Sequence, residues 1–168
     1  MAPANPSCDD APLDKLFGLI EHAGFDEGTH WYKQQTPANT AVIKKGERSE
    51  KLYLVCSGTL SVQEELELPD QRHIKPGMAE LGPGSVFGEL ALFDEEPHSC
   101  SVVTLTDAEF ITIHTPSLLS FLSSHTEIGY PVVFQMMQQL AGRFRKTSKR
   151  TVTLFAWGLK AHGIESHL

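Results

Sequence analysis

The sequence lacks the cysteine and histidine patterns that mark disulfide scaffolds and metal sites. Its three cysteines, Cys8, Cys56 and Cys100, are widely spaced and include no Cys-x-x-Cys pair. No two of its eight histidines are spaced i, i+4, which would place both rings on one face of a helix. We therefore expect no metal and no cofactor.

Long apolar runs and an excess of positive charge are also missing. No run approaches the roughly 20 apolar residues of a membrane-spanning helix, and the opening segment has acids and prolines where a signal peptide needs an apolar stretch. A net charge of -7 argues against a general nucleic-acid or anionic-membrane binder, because such partners attract a positive field. We expect a cytoplasmic protein that binds no membrane.

Catalytic and nucleotide-loop motifs are absent too. The chain has no Gly-x-Ser-x-Gly elbow, no local Cys–His signature and no Walker-type loop. The segment from Gly82 to Gly88 approaches a Gly-x-Gly-x-x-Gly fingerprint, but Phe87 stands where the third glycine belongs. The sequence therefore predicts a protein that is not an enzyme.

The order of elements predicts one domain that is mainly β, followed by helices. Residues 1–12 have the composition of a disordered tail, and the apolar spacing from Leu13 predicts a short helix that ends at Gly24. Glycine-punctuated apolar runs then predict a roll or barrel of short strands. Ser57-Gly58 suits a tight hairpin, and residues 64–76 are predicted to form a solvated loop. The predicted strands are 41–44, 51–56, 59–64, 99–105 and 109–114.

Two helices are predicted after the strands. Thr115-Pro116-Ser117 is typical of a helix start, with a hydroxyl cap and proline in the first turn. An apolar stripe then predicts a helix over about 130–149. Core packing and a dimer seam both explain the stripe, and the additional apolar residues Phe134 and Met136 favour the dimer. The stripe consists of Val133, Met137, Leu140 and Phe144.

A glycine-rich turn carries the chemistry of the chain. It runs through Phe87-Gly88-Glu89-Leu90-Ala91, where glycine permits close approach to the backbone and successive amides can bind an anion. Glu89 would repel a phosphate directly beside it, but it would accept a hydrogen bond from a sugar hydroxyl. Together these groups indicate a sugar-phosphate ligand.

These residues resemble the cyclic-nucleotide-binding domains of bacterial cyclic-AMP receptor proteins, protein kinase A regulatory subunits and gated channels. LGPGSVFGELALFDEEPHSCSV, from Leu81 to Val102, resembles the phosphate-binding cassette of the family, and IKKGERSEKLYLVCSGTLSV and AEFITI resemble strands of its roll. The resemblance implies a mainly β fold with helices, a jelly-roll-like β-roll flanked by an N-terminal helix and a long C-terminal helix. The domain would span 13–150, with a C-terminal extension over 151–168.

The resemblance also implies roles for individual residues. Glu89 would accept the ribose 2′-hydroxyl, while the amides of Gly88, Leu90 and Ala91 would lie near the cyclic phosphate. In the long helix, Thr147 and Ser148 match a Thr-Ser pair that reaches the adenine. The full predicted pocket is Phe87, Gly88, Glu89, Leu90, Ala91, His98, Ser99, Cys100, Ser101, Thr147 and Ser148.

His98 departs from the family pattern, which has an arginine there to pair with the phosphate. Such a charge-assisted contact contributes about 1.5–3 kcal/mol, so its loss would weaken binding by about ten- to hundredfold. Imidazole can still donate one hydrogen bond. The alternative is that His98 is an ordinary loop residue at a site that no longer binds.

The predicted function is therefore a sensory and regulatory module that binds cyclic AMP in preference to cyclic GMP and dimerises through its C-terminal helix. The alternative is a scaffold domain of the same fold that binds no nucleotide or a different small ligand. Five of the 14 Lys and Arg residues lie between 143 and 150, where they complement the helix dipole. Only 18 residues follow Arg150, so we expect no helix-turn-helix and no direct DNA binding.

Overall fold

A computed structural model describes residues 14–64, 66–67, 73–74, 77–94 and 96–161. These residues form three α-helices, ten short strands and a short 3₁₀ helix, Glu89–Leu92. The α-helices are α1 Asp14–Ile20, α2 Thr115–Ser124 and α3 Thr126–Ala161. The strands are β1 Trp31–Thr36, β2 Ala41–Ile43, β3 Lys51–Ser57, β4 Leu60–Gln63, β5 Leu66–Glu67, β6 His73–Ile74, β7 Gly77–Leu81, β8 Val86–Phe87, β9 Ser101–Thr104 and β10 Ala108–His114.

The strands form two antiparallel four-stranded sheets and one small ladder. One sheet has the order β1-β10-β3-β8, the other has the order β2-β9-β4-β7, and β5 pairs with β6. Side chains from both large sheets share one apolar core, because alternate residues of each strand point inward. The predicted roll with flanking helices is confirmed. The core cluster is Ile43, Tyr53, Val55, Leu60, Leu81, Phe87, Val102, Ala108 and Phe110.

The hairpin predicted at Ser57-Gly58 is wrong. Strands β3 and β4, on either side of this link, belong to different sheets, so the chain crosses from one sheet to the other there. Gly58 has φ +87, and a Cβ atom on it would lie 2.5 Å from the Asp107 carbonyl oxygen. The glycine is required, but for a corner between sheets.

Several predicted boundaries also change. Helix α1 ends at Ile20, four residues before Gly24, and Leu13 and the tail 1–12 lie outside the described residues. The described part of the predicted loop at 64–76 contains the β5–β6 ladder. β1, β7 and β8 were not predicted, whereas each of the five predicted strands overlaps an observed one.

The two predicted helix ends need correction as well. Helix α2 begins at Thr115 itself, and its N-cap is His114, whose side chain makes no capping bond. Helix α3 does not end near Lys149 but runs to Ala161. The hydroxyls of Thr151 and Thr153 bond to the carbonyl oxygens of Thr147 and Lys149, at 3.0 and 2.9 Å. Such bonds to the carbonyl four residues earlier are typical of threonine within a helix.

The chain divides into two compact units, Met1–Val133 and Phe134–Leu168. The first contains the strands, α1, α2 and the start of α3. The described part of the second is the rest of α3, which exposes many large apolar side chains. No helix among the described residues is long and apolar enough to cross a membrane. The exposed side chains are Phe134, Met137, Phe144, Val152, Leu154, Phe155 and Trp157.

Candidate functional site

Gly88 begins the glycine-rich turn at the end of β8. It has φ 75 and ψ 9, in the left-handed region, and it caps the 3₁₀ helix. A Cβ atom on it would lie 2.7 Å from the Lys51 carbonyl oxygen and 3.2 Å from Tyr53 Cδ2. Glycine is therefore required both by the backbone conformation and by the close approach of β3.

Glu89 is a buried carboxylate at the first position of the 3₁₀ helix. Only 7% of the residue is exposed, whereas the adjacent Leu90 is 44% exposed. The turn is closed by the Ala91 amide, which donates to the Gly88 carbonyl at 3.3 Å. Burying a carboxylate is costly unless hydrogen-bond donors surround it. The carboxylate of Glu89, at the start of the 3₁₀ helix, is therefore suited to accepting hydrogen bonds from a polar ligand.

An aromatic stack anchors the turn to the roll. Phe87 stacks on Tyr53 with centroids 4.7 Å apart and planes inclined by 8°, and Phe110 meets Tyr53 edge-on at 5.6 Å. Burial raises the pKa of the Tyr53 hydroxyl, against the opposing effects of the Lys51 charge and a hydrogen bond with Ser49. The phenol therefore stays neutral, and the stack fixes the start of the turn.

The far end of the cassette is held against the turn between β2 and β3. The Gly46 amide donates to the His98 carbonyl at 2.8 Å, and the His98 amide donates to the Glu47 carbonyl at 2.9 Å. The Lys45 amide donates to Ser101 Oγ at 3.0 Å. Three hydrogen bonds thus hold the 98–101 segment against the 45–47 turn.

Two cavities open beside these segments. The larger, of about 530 Å³, is lined by Ala91 and the residues after it together with the start of α2. The smaller, of about 210 Å³, is lined by His98 and the β2–β3 segment. Arg48 and Ser49 line both cavities. Ala91 and His98, which were predicted to share a pocket, thus line separate but adjoining spaces.

The other predicted residues are distributed as follows. Phe87 is buried in the core, and Gly88 is half-buried. Cys100 and Ser101 are half-buried and Ser99 is exposed. Thr147 and Ser148 are exposed on α3, in the second compact unit.

Sequence reasoning missed the cations that surround His98. Lys44, Arg48 and Lys51 all line the smaller cavity, although the segment containing them was interpreted only as strands of the roll. The sequence does contain these charges close together, because Lys44 and Arg48 flank Gly46 and Lys51 follows at the start of β3. Their position beside His98 could not be predicted, because it depends on hydrogen bonds between the 45–47 turn and a segment about fifty residues away.

The family model described as the cyclic nucleotide-binding domain matches residues 33–125, more than half of the chain. The protein belongs to this family. A CRP-like cAMP-activated global transcriptional regulator of Mycobacterium tuberculosis is 29% identical over 118 residues, covering 70% of this chain and 49% of the relative. A cyclic nucleotide-gated potassium channel of Mesorhizobium japonicum is 32% identical over 93 residues, covering 55% of this chain and 23% of the channel.

The fold is also similar to solved structures. The c-di-GMP responsive global regulator CLP of Xanthomonas campestris is similar with a TM-score of 0.65 and 25% identity, covering 74% of this chain and 59% of that one. The chain spans about half the length, or less, of the two curated relatives described above. By their names, the Mycobacterium and Xanthomonas proteins are regulators and the Mesorhizobium protein is a channel.

Proposed function

We propose that this protein is a regulatory module that binds a cyclic nucleotide, cyclic AMP in preference to cyclic GMP, at a phosphate site weakened by His98. The observation that carries the proposal is the pairing of left-handed Gly88 with buried Glu89 in a chain of this family. Glu89 accepts the ribose hydroxyl, and the amides of Gly88, Leu90 and Ala91 lie at the phosphate, where the Ala91 amide would exchange its long bond to the Gly88 carbonyl for the ligand. The module acts in the cytoplasm and catalyses no reaction.

The cassette end completes the proposed pocket. Ser99 and Ser101 offer hydroxyls, and Cys100 is the small residue between them. The hydroxyl of Ser101 already accepts from Lys45, so it couples the cassette to the β2–β3 turn. His98 donates one hydrogen bond where the family arginine would add a charge.

Dimerisation through α3 is the second part of the proposal. Phe134, Met137, Phe144 and Phe155 are exposed and follow one another at intervals of three, seven and eleven residues. Each of these intervals can be written as steps of three and four residues. Such steps keep side chains on one face of a helix, which is the pattern of a coiled-coil seam. A second copy of α3 would cover these four exposed side chains, and Ser148 lies on the same face of the helix.

A ligand acts as a signal only if it binds two states of the protein with different affinity. We propose that capture of the phosphate tightens the cassette and shifts the position of α3. Thr147→Val and Ser148→Ala test whether the helix hydroxyls contribute to nucleotide affinity. Unchanged affinity in both variants would remove these two residues from the pocket.

Isothermal calorimetry with cyclic AMP and cyclic GMP at pH 6 and 7.5 tests the binding proposal. We expect saturable binding of cyclic AMP and weaker binding of cyclic GMP. His98→Arg should bind cyclic AMP about ten- to hundredfold more tightly, and Glu89→Gln should bind more weakly. No heat at millimolar ligand at either pH would refute the nucleotide proposal.

The alternative is a scaffold domain, or a sensor of another ligand, and the absence of an arginine at position 98 favours it. Cyclic di-GMP is the first other ligand to test, since the similar Xanthomonas regulator is described as responsive to it. Saturable binding of cyclic di-GMP without binding of cyclic AMP would establish this alternative.

A further inference from the structure

The cavity beside His98 is built from cationic side chains of the β2–β3 segment. Lys44, Arg48 and Lys51 contribute positive charge to its lining, and Glu47 contributes the opposing carboxylate. Lys44 and Glu47 pair with each other at 3.8 Å, with both side chains more than 60% exposed. Within the described chain neither Arg48 nor Lys51 forms an ion pair with a carboxylate. The cavity therefore has a net positive lining.

His98 of the cassette also lines this cavity. Its Nε2 atom is buried, and no hydrogen-bonding group of the described residues reaches it. Two hydrogen bonds join the backbone of residue 98 to Gly46 and Glu47, so the part of the cassette that borders the cavity is held in place.

The volume of the cavity limits what it can hold. Drug-sized ligands occupy sites of about 300–1,000 Å³, and the cavity has only about 210 Å³. At about 30 Å³ for each water in the liquid, that volume equals about seven waters. The cavity is thus too small for a whole nucleotide and large enough for one oxyanion with part of its hydration.

We propose that Arg48 and Lys51, beside His98, form a phosphoryl-binding site that supplies the cation missing from the cassette. The cavity adjoins the glycine-rich turn, since a Cβ on Gly88 would touch Lys51, Tyr53 and Ile43, at 2.7, 3.2 and 3.5 Å, and all three residues line it. Where the phosphoryl group belongs to a cyclic nucleotide, the inference rests on the proposed function. Where it is free phosphate, the site stands alone.

Arg48→Gln tests the site and Lys33→Gln is its matched control. Both residues are exposed and both variants remove one charge, but Lys33 lies on β1 and does not line this cavity. Calorimetry with cyclic AMP and adenosine, and a ³¹P NMR titration with inorganic phosphate, compare a phosphorylated nucleotide, a nucleoside without phosphate and the free anion. Equal melting temperatures would show that the variants are folded.

We expect Arg48→Gln to bind cyclic AMP about tenfold more weakly, which is the range of a single charge-assisted contact. Its affinity for adenosine and the affinities of Lys33→Gln should not change. The wild-type affinity should fall as salt is raised, because the site is partly open to solvent.

Each outcome separates the two proposals. Cyclic AMP binding that Arg48→Gln leaves unchanged would overturn this inference and keep the proposed function. Binding of inorganic phosphate that is lost in Arg48→Gln, without binding of cyclic AMP, would keep the phosphoryl site and reject the nucleotide. Wild-type protein that binds neither probe would overturn both.

Discussion

Replacing Gly88 by alanine tests whether β3 approaches the glycine-rich turn as closely as the structure shows. Two separate costs arise in this variant. An L-residue in the left-handed region destabilises the fold by about 1–2 kcal/mol. Alanine also makes the unfolded chain less flexible than glycine does, which offsets about 0.4–1 kcal/mol of that cost. The new methyl group would also meet the Lys51 carbonyl oxygen at 2.7 Å.

Gly46→Ala separates these two costs. Gly46 has φ +83, similar to the φ +75 of Gly88, but a Cβ atom on Gly46 would have no atom within 4 Å. Its substitution should cost only the conformational part, about 1 kcal/mol. Gly88→Ala adds the overpacking cost of about 1–3 kcal/mol, for a total of about 2–4 kcal/mol.

Thermal and urea unfolding of the two variants measure the difference. For a chain of this length 1 kcal/mol corresponds to about 2–4 °C. We therefore expect Gly46→Ala to melt about 2–4 °C below wild type and Gly88→Ala about 5–15 °C below it. Equal melting temperatures for the two variants would refute the close contact between the turn and β3.

Three further predictions concern the core and the helix. Phe144→Glu should abolish the dimer that we propose, as measured by light scattering, whereas Lys146→Glu, on another face of α3, should not. The free energy of unfolding of wild type should fall as pH rises above about 10, because folded Tyr53 keeps its proton in the range where the unfolded chain has lost it. Tyr53→Phe should show a shallower fall. Equal slopes of unfolding free energy against pH would contradict the raised pKa. Trp31→Phe removes the indole donor to the Phe25 carbonyl at 2.9 Å, and urea unfolding should show a loss of about 1–3 kcal/mol.

The strands that the sequence predicted share a strong local signal. β3 and β10 are short apolar runs next to glycine or turn residues, and both are mostly buried. β1 has the sequence WYKQQT and buries only its first and last residues, Trp31 and Thr36. It lies at the edge of its sheet, so its state depends on pairing with β10 and not on its own composition.

Local signals also failed where they had to specify a partner. Ser57-Gly58 carries the signature of a tight turn, and Gly58 does adopt a positive φ. The signature does not tell which sheet the next strand joins, because that depends on the contact of Gly58 with Asp107 and Ala108. Contacts between segments about fifty residues apart leave no periodic pattern in a single sequence.

The candidate site shows the same division between local and distant information. Gly88 and Glu89 could be singled out as candidates because they lie within one short turn, where Gly88 is a left-handed cap and Glu89 is a buried acid. Position 98 could be judged only by the residue that occupies it, and histidine in place of arginine was interpreted as a lost charge. The electrostatic potential at a binding site is the sum over all nearby charges and does not depend on one position alone. Because the 45–47 turn is hydrogen-bonded to residues 98 and 101, the phosphoryl site that we propose would draw its cations from the β2–β3 segment and not from the cassette.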